Sequence, residues 1–80
     1  MNTTLAVVTW MAIKDMDSIV LAAAYNGLTG FGYIDPRNIA FTPMYEAALI
    51  NENGKPRDEE NLLAALSMAI NQRNDDGRWE

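Results

Sequence analysis

The stretch NENGKPRDEENLL, residues 51–63, admits three readings that lead to different folds. Asn51, Asn53, Gly54 and Glu60 fall where a calcium-binding EF-hand loop places its third, fifth, sixth and twelfth positions. Asn53-Gly54 is also a strong two-residue hairpin turn. The same letters can close one helix and open another. The calcium reading fails at the first loop position, Leu49, which has no donor atom, and at the eighth, Pro56. A hairpin needs a strand after Gly54, yet Pro56 removes a backbone donor and the charges around it leave no apolar face. A helix–helix connector survives: Ile50 and Asn51 close one helix, Asn53-Gly54 turn the chain, Pro56 keeps it extended and Asp58 starts the next helix.

Downstream, Asp58 is placed to cap a helix over about 59–73. Glu59 and Glu60 suit its positive first turn and Arg73 its negative last turn. Leu62, Leu66, Ala69, Ile70 and Arg73 fall on one stripe with Leu63 beside it. Upstream, the segment TPMYEAALI predicts a helix with Thr42 as cap, Pro43 at the first helical position and Tyr45 to Ile50 following. A further helix is expected over about 16–26. Asp15 or Asp17 caps it, Met16, Ile19, Val20 and Ala23 form its inward face, and Asn26-Gly27 is its left-handed stop.

The first ten residues are ambiguous. Leu5, Val8, Ala12 and Ile13 obey helical spacing, with Thr3 or Thr4 as cap, while Val7, Val8, Thr9 and Trp10 favour a strand. The run GFGYID, 30–35, reads as a loop or a short strand. The fold expected is therefore mainly α, a small single domain over 1–80 with an irregular glycine- and aromatic-rich loop over 28–41. Residues 74–80 have the composition of a fraying tail, in which Trp79 is the one large apolar residue. The alternative is α+β, with short strands near 4–11 and 30–41.

Composition narrows the chemistry. The chain of 80 residues has no cysteine and no histidine, so Ser-His and Cys-His nucleophile pairs and the usual zinc sites are excluded. The carboxylates Asp15 and Asp17 stand two apart, a spacing that points them to different faces of a helix. No enzyme activity, cofactor or metal is expected. The net charge of −5 comes from 11 acidic residues and six scattered basic ones, which argues against direct nucleic-acid binding. Leu5 to Ile13 is too short to span a bilayer, and no basic segment precedes it. The expectation is a cytoplasmic protein with no membrane association.

What composition favours is binding. Phe31, Tyr33 and Phe41 cluster around Asp35 and Arg37, and aromatics and arginine are enriched at interface hot spots. Asp58, Glu59 and Glu60 form an acidic cluster suited to a basic partner surface, and Asp75, Asp76 and Glu80 form a second. The partner-binding residues expected are therefore Phe31, Tyr33, Asp35, Arg37, Asp58, Glu59 and Glu60. In size and charge the chain is similar to the small inhibitors that phages deploy against bacterial defence, the anti-CRISPR and anti-restriction proteins among them. That class resemblance implies an acidic protein-binding module that blocks a defence or nucleic-acid-processing complex. The alternative is a homo-oligomeric structural helical module, with the alanine-rich 19–24 segment permitting close helix approach.

Overall fold

A computed structural model describes residues 3–78, with side chains described for 4–74. Four α-helices follow one another: α1 (Thr3–Ile13), α2 (Ser18–Gly30), the short α3 (Thr42–Glu46) and α4 (Glu59–Arg78), with a 3-10 turn, Ile39–Phe41, leading directly into α3. The fold is mainly α. Neither segment of the α+β alternative forms a strand, residues 4–11 being helix and 30–41 largely loop, and the only strand-like pairing among the described residues is an antiparallel bridge between Ile50 and Pro56.

The long α4 is the axis on which α1 and α2 both pack, while α3 leans on α1. Its start follows from local chemistry. Asp58 Oδ1 accepts the N–H of Asn61 at 3.2 Å and Oδ2 accepts the Asn61 side-chain amide at 2.6 Å, so one carboxylate ties down the first turn. Leu62, Leu66 and Ala69 are buried as expected, joined by Ala65, with Leu63 and Ile70 half-buried against the same core. The helix runs beyond 73, through Arg78. Arg73 does more than suit its own helix end. Its Nη2 donates to the carbonyls of Lys14 and Met16, each at 3.2 Å, and so satisfies backbone oxygens at the turn that leaves α1. Trp79 lies outside the described residues.

In α1, Ala6, Thr9 and Ile13 face the core, with Trp10 half-buried beside them, whereas Leu5, Val8 and Ala12, read as one helical stripe, are exposed. The buried Thr9 hydroxyl donates to the Leu5 carbonyl at 2.8 Å, so its own polar atom is not stranded.

Three expectations are corrected. The inward face of α2 is Leu21, Ala24 and Leu28; Ile19 and Ala23 face solvent. Residues 19–24 are apolar all round, so periodicity offers two equivalent stripes, and only packing on α4 chooses between them. Second, α2 does not stop at Asn26-Gly27. It continues to Gly30 and ends at Gly32, whose φ of +83° closes the helix while its N–H reaches the Leu28 carbonyl at 3.1 Å. Asp17 occupies the N-cap position of α2 without donating or accepting a side-chain capping bond. Third, α3 ends at Glu46 instead of Ile50. Ala48 takes a φ of +60°, and its N–H and that of Leu49 bond back to Tyr45 and Met44 in a Schellman closure. Thr42 is not its cap: Phe41 holds the N-cap position of α3 without a side-chain capping bond, and Asn38 Oδ1 caps the preceding 3-10 turn by accepting the Ala40 N–H at 3.0 Å.

The 51–57 stretch is a connector, and a tightly tied one. Asn51 Oδ1 accepts the N–H groups of Asn53 and Lys55, at 2.8 and 3.1 Å, and the Arg57 N–H returns to the Leu49 carbonyl. The donor atom that the calcium reading required is thus engaged by the backbone. Gly54, with φ +79°, is buried against the loop that follows α2.

Candidate functional site

That loop holds most of the residues that the sequence nominates. Gly32 turns the chain out of α2, and the loop beyond it is largely exposed, with only Ile34 and Phe41 buried and Pro36 and Ala40 half-buried. Phe31 is 79% exposed and Tyr33 is exposed beside it, the two rings 6.5 Å apart and tilted by 54°. Ile34 points inward. Its N–H donates to the Gly54 carbonyl at 2.9 Å, and its side chain packs so close to α2 that a Cβ on Gly27 would stand 2.8 Å from Ile34 Cγ2. The glycine at 27 thus admits Ile34; it does not stop the helix.

Asp35 and Arg37 then form a small turn. Asp35 Oδ1 accepts the Arg37 backbone N–H at 2.9 Å and its Nε at 3.2 Å, and the Asn38 N–H donates to the Asp35 carbonyl at 3.1 Å. The Arg37 N–H and then its guanidinium hold the Asp35 carboxyl below its ordinary 3.8. Both side chains stay exposed. The loop closes with Ile39, 86% exposed, and with Phe41, buried in the core. The two phenylalanines that look alike in sequence therefore divide: Phe41 is core and Phe31 is surface.

Phe31, Tyr33, Asp35 and Arg37 are thus brought together on one loop. A shallow groove of about 490 Å³ runs beside it, lined by Tyr33, Asp35 and Arg37 and, across from them, by Glu52 and Asn53 of the connector. Asp58, Glu59 and Glu60 sit elsewhere, at the start of α4. Asp58 is occupied as a helix cap and lines a different groove, against α1. Glu59 and Glu60 are exposed in the first turn. The side chains of Asp75, Asp76 and Glu80 lie outside those described.

Sequence reasoning missed two things. One is Ile39, whose signal was faint: a single aliphatic residue between Asn38 and Ala40, as easily core as surface. The other is the outward side of α1, where Leu5, Val7, Val8 and Met11 are all exposed. Its signal was present, since no charged residue occurs anywhere in Thr3–Ile13, but a charge-free helix reads first as buried.

Among the described residues no cluster of three or more acidic side chains is arranged to hold a metal ion, and no helix is long and apolar enough to cross a membrane. No protein-family model matches the chain, and no curated protein or solved structure is significantly similar to it.

Proposed function

We propose that this chain is a protein-binding module whose contact surface is the loop 31–39. The observation that carries the reading is the outward display of Phe31 and Ile39, at 79% and 86% exposure, on a loop whose interior is fixed. Covering such a side chain is worth about 1.5–3 kcal/mol. Two of them, with Tyr33 and Arg37 adjacent, supply the hot-spot chemistry of a small interface. The loop is held by the Ile34–Gly54 bond, the Asp35–Arg37 turn and the Asn38 cap, so little ordering entropy is lost on binding.

The net charge of −5 and the exposed Glu59 and Glu60 favour a partner with a basic surface, met in the cytoplasm. Inhibition of a bacterial defence or nucleic-acid-processing complex is one way such binding acts, by covering the partner's working surface.

The test is affinity capture from bacterial lysate at low and moderate salt. Wild type is compared with the Phe31→Ala, Ile39→Ala double variant and with Glu59→Gln, Glu60→Gln. The loop variant is expected to keep its helical circular dichroism and lose the captured protein. The acidic variant is expected to retain it with reduced salt sensitivity. A loop variant that captures the same protein as strongly as wild type overturns the assignment.

A further inference from the structure

The chain holds two Asn-Gly pairs, Asn26-Gly27 and Asn53-Gly54. In such a pair the glycine nitrogen can attack the asparagine side-chain carbonyl, because no Cβ on the glycine obstructs the approach. The two pairs stand in opposite settings. Asn26-Gly27 lies inside α2, between the buried Ala24 and Leu28, so freeing the Gly27 nitrogen means unwinding a helix packed on α4. Asn53-Gly54 lies in the connector. Asn53 is exposed, and its side-chain amide has no hydrogen-bond partner among the described residues. One turn bond holds the Gly54 nitrogen, from its N–H to the Asn51 carbonyl at 2.9 Å.

We propose that Asn53 is a self-deamidation site, gated by that turn bond, and that its isoaspartyl product releases the loop 31–39. The consequence for partner binding rests on the reading of that loop as the contact surface. In the reaction the Gly54 nitrogen loses its proton to water and bonds to Asn53 Cγ. The Cγ–Nδ2 bond breaks, and the amide nitrogen takes a proton from water and leaves as ammonia. A succinimide ring remains, which water opens at either carbonyl. Opening at the side-chain carbonyl gives an aspartate. Opening at the main-chain carbonyl gives an isoaspartate, whose main chain runs through the former side chain and is longer by a methylene. Nothing is oxidised or reduced, and water is the co-reactant.

The connector has no room for the longer form. Asn51 Oδ1 accepts the N–H groups of Asn53 and Lys55 at 2.8 and 3.1 Å, and the Gly54 carbonyl accepts the Ile34 N–H at 2.9 Å. Both sides of the Asn53–Gly54 bond are therefore pinned. Gly54 also lies so close to the Ile34 carbonyl that an added Cβ would meet its oxygen at 1.6 Å. A methylene inserted before Gly54 drives it out of register with Ile34, and the loop that displays Phe31 and Ile39 loses its anchor. The aspartate form keeps the register. It adds only a negative charge, in the groove that Asn53 shares with Tyr33, Asp35, Arg37 and Glu52.

Incubating the purified chain in mildly alkaline buffer, with peptide mass spectrometry to follow the amide-to-acid mass gain at each asparagine, tests the proposal. Attack requires local opening, and a connector turn opens at lower free energy than a helix interior packed on the core. Asn53 should therefore convert at least about ten-fold faster than Asn26 in the folded protein, and at a similar rate in urea, where neither is held. Asn51→Ala removes the two Oδ1 bonds and should speed conversion at Asn53 while leaving Asn26 unchanged. A rise at both positions marks unfolding of that variant, and the wild-type ratio then decides. Conversion at Asn53 no faster than at Asn26 overturns the proposal. The isoaspartyl form, separated from aged protein, should have a lower urea midpoint than fresh protein and capture no partner. Asn53→Asp should keep the midpoint, and aged Asn53→Ser should keep both midpoint and capture. An isoaspartyl form as stable as fresh protein refutes the release of the loop. Fresh protein that captures nothing refutes the loop as contact surface, while the conversion rates and midpoints still decide whether Asn53 is the site.

Discussion

Replacing Gly54 by alanine should be among the most damaging single-methyl additions in this chain. A Cβ at that position would lie 1.6 Å from the Ile34 carbonyl oxygen and 2.8 Å from its carbon, and real Cβ contacts essentially never fall under 3.0 Å. The obstacle is backbone, so no side chain can rotate away; the connector and the 31–38 loop must part. Three costs follow. Alanine at φ +79° carries roughly 1–2 kcal/mol of left-handed strain. The Ile34–Gly54 hydrogen bond is lost, at about 1 kcal/mol. Ile34, buried now, is drawn partly out of the core, out of the roughly 1.5–3 kcal/mol that its full burial supplies. Allowing for the stiffer unfolded chain that alanine gives, the loss is about 3 kcal/mol or more. A domain of this size has only about 4–12 kcal/mol in total. The melting temperature should therefore fall by more than about 12 °C. Urea unfolding followed by far-ultraviolet circular dichroism measures the free-energy loss, and a thermal melt the midpoint. Gly32→Ala is the control, because Gly32 has the same positive φ but no atom within 4 Å of an added Cβ, so it should lose only about 1 kcal/mol. If Gly54→Ala proves no worse than Gly32→Ala, the close docking of the two loops is refuted.

Other substitutions probe the remaining joints. Ala48→Gly relieves a residue held at φ +60° in the closure of α3 and should stabilise by about 0.5–1 kcal/mol, read as a higher urea midpoint; a lower midpoint would contradict the left-handed assignment. Arg73→Ala removes two charge-assisted bonds to the Lys14 and Met16 carbonyls and should destabilise by about 2 kcal/mol, with Arg73→Lys intermediate; equal stability in all three proteins would show that water replaces the guanidinium without loss. The Asp35 carboxyl should titrate below 3.8 in a carbon-detected pH series. Because its folded value is depressed, whatever stability the turn contributes is present above 3.8 and fades as pH falls through the folded midpoint. A midpoint at or above 3.8 would mean that the Arg37 N–H bond is absent in solution.

How much of this was legible in the sequence depended on whether the deciding force was local. The start of α4 was, since Asp58, Glu59 and the Leu62–Leu66–Ala69 stripe each act within a turn or two of themselves. The connector reading of 51–58 was also legible, because Leu49 has no ligand atom for calcium and no apolar strand follows Gly54, so that only the single Ile50–Pro56 bridge remains of a hairpin. The inward face of α2 was not, because Ile19, Val20 and Leu21 are equally apolar and only α4 distinguishes them. Ala48 carries no sequence signal for a left-handed conformation, so the early end of α3 was invisible. Arg73 works across 59 and 57 residues of chain, beyond any pattern argument. At the candidate site, the aromatic cluster was legible as a group, but which phenylalanine faces inward was not. That depends on Gly27 and Gly54 gripping Ile34, a contact assembled from three separate segments.

The same grip links stability to the proposed binding. Phe31 and Ile39 expose apolar surface that an unconstrained loop would fold back against the body of the protein, so their display depends on the loop being held. Ile34 is the peg that holds it, set between Gly27 of α2 and Gly54 of the connector. Substitutions at the peg and at the displayed residues should therefore separate. Phe31→Ala touches no core residue and should abolish partner capture while leaving the urea midpoint within about 0.5 kcal/mol of wild type. Gly54→Ala should lower both together, since it releases the loop as it uncovers the core. If Gly54→Ala weakened the fold yet left capture at wild-type strength, at a temperature where the protein remains folded, the partner surface would have to lie away from this loop.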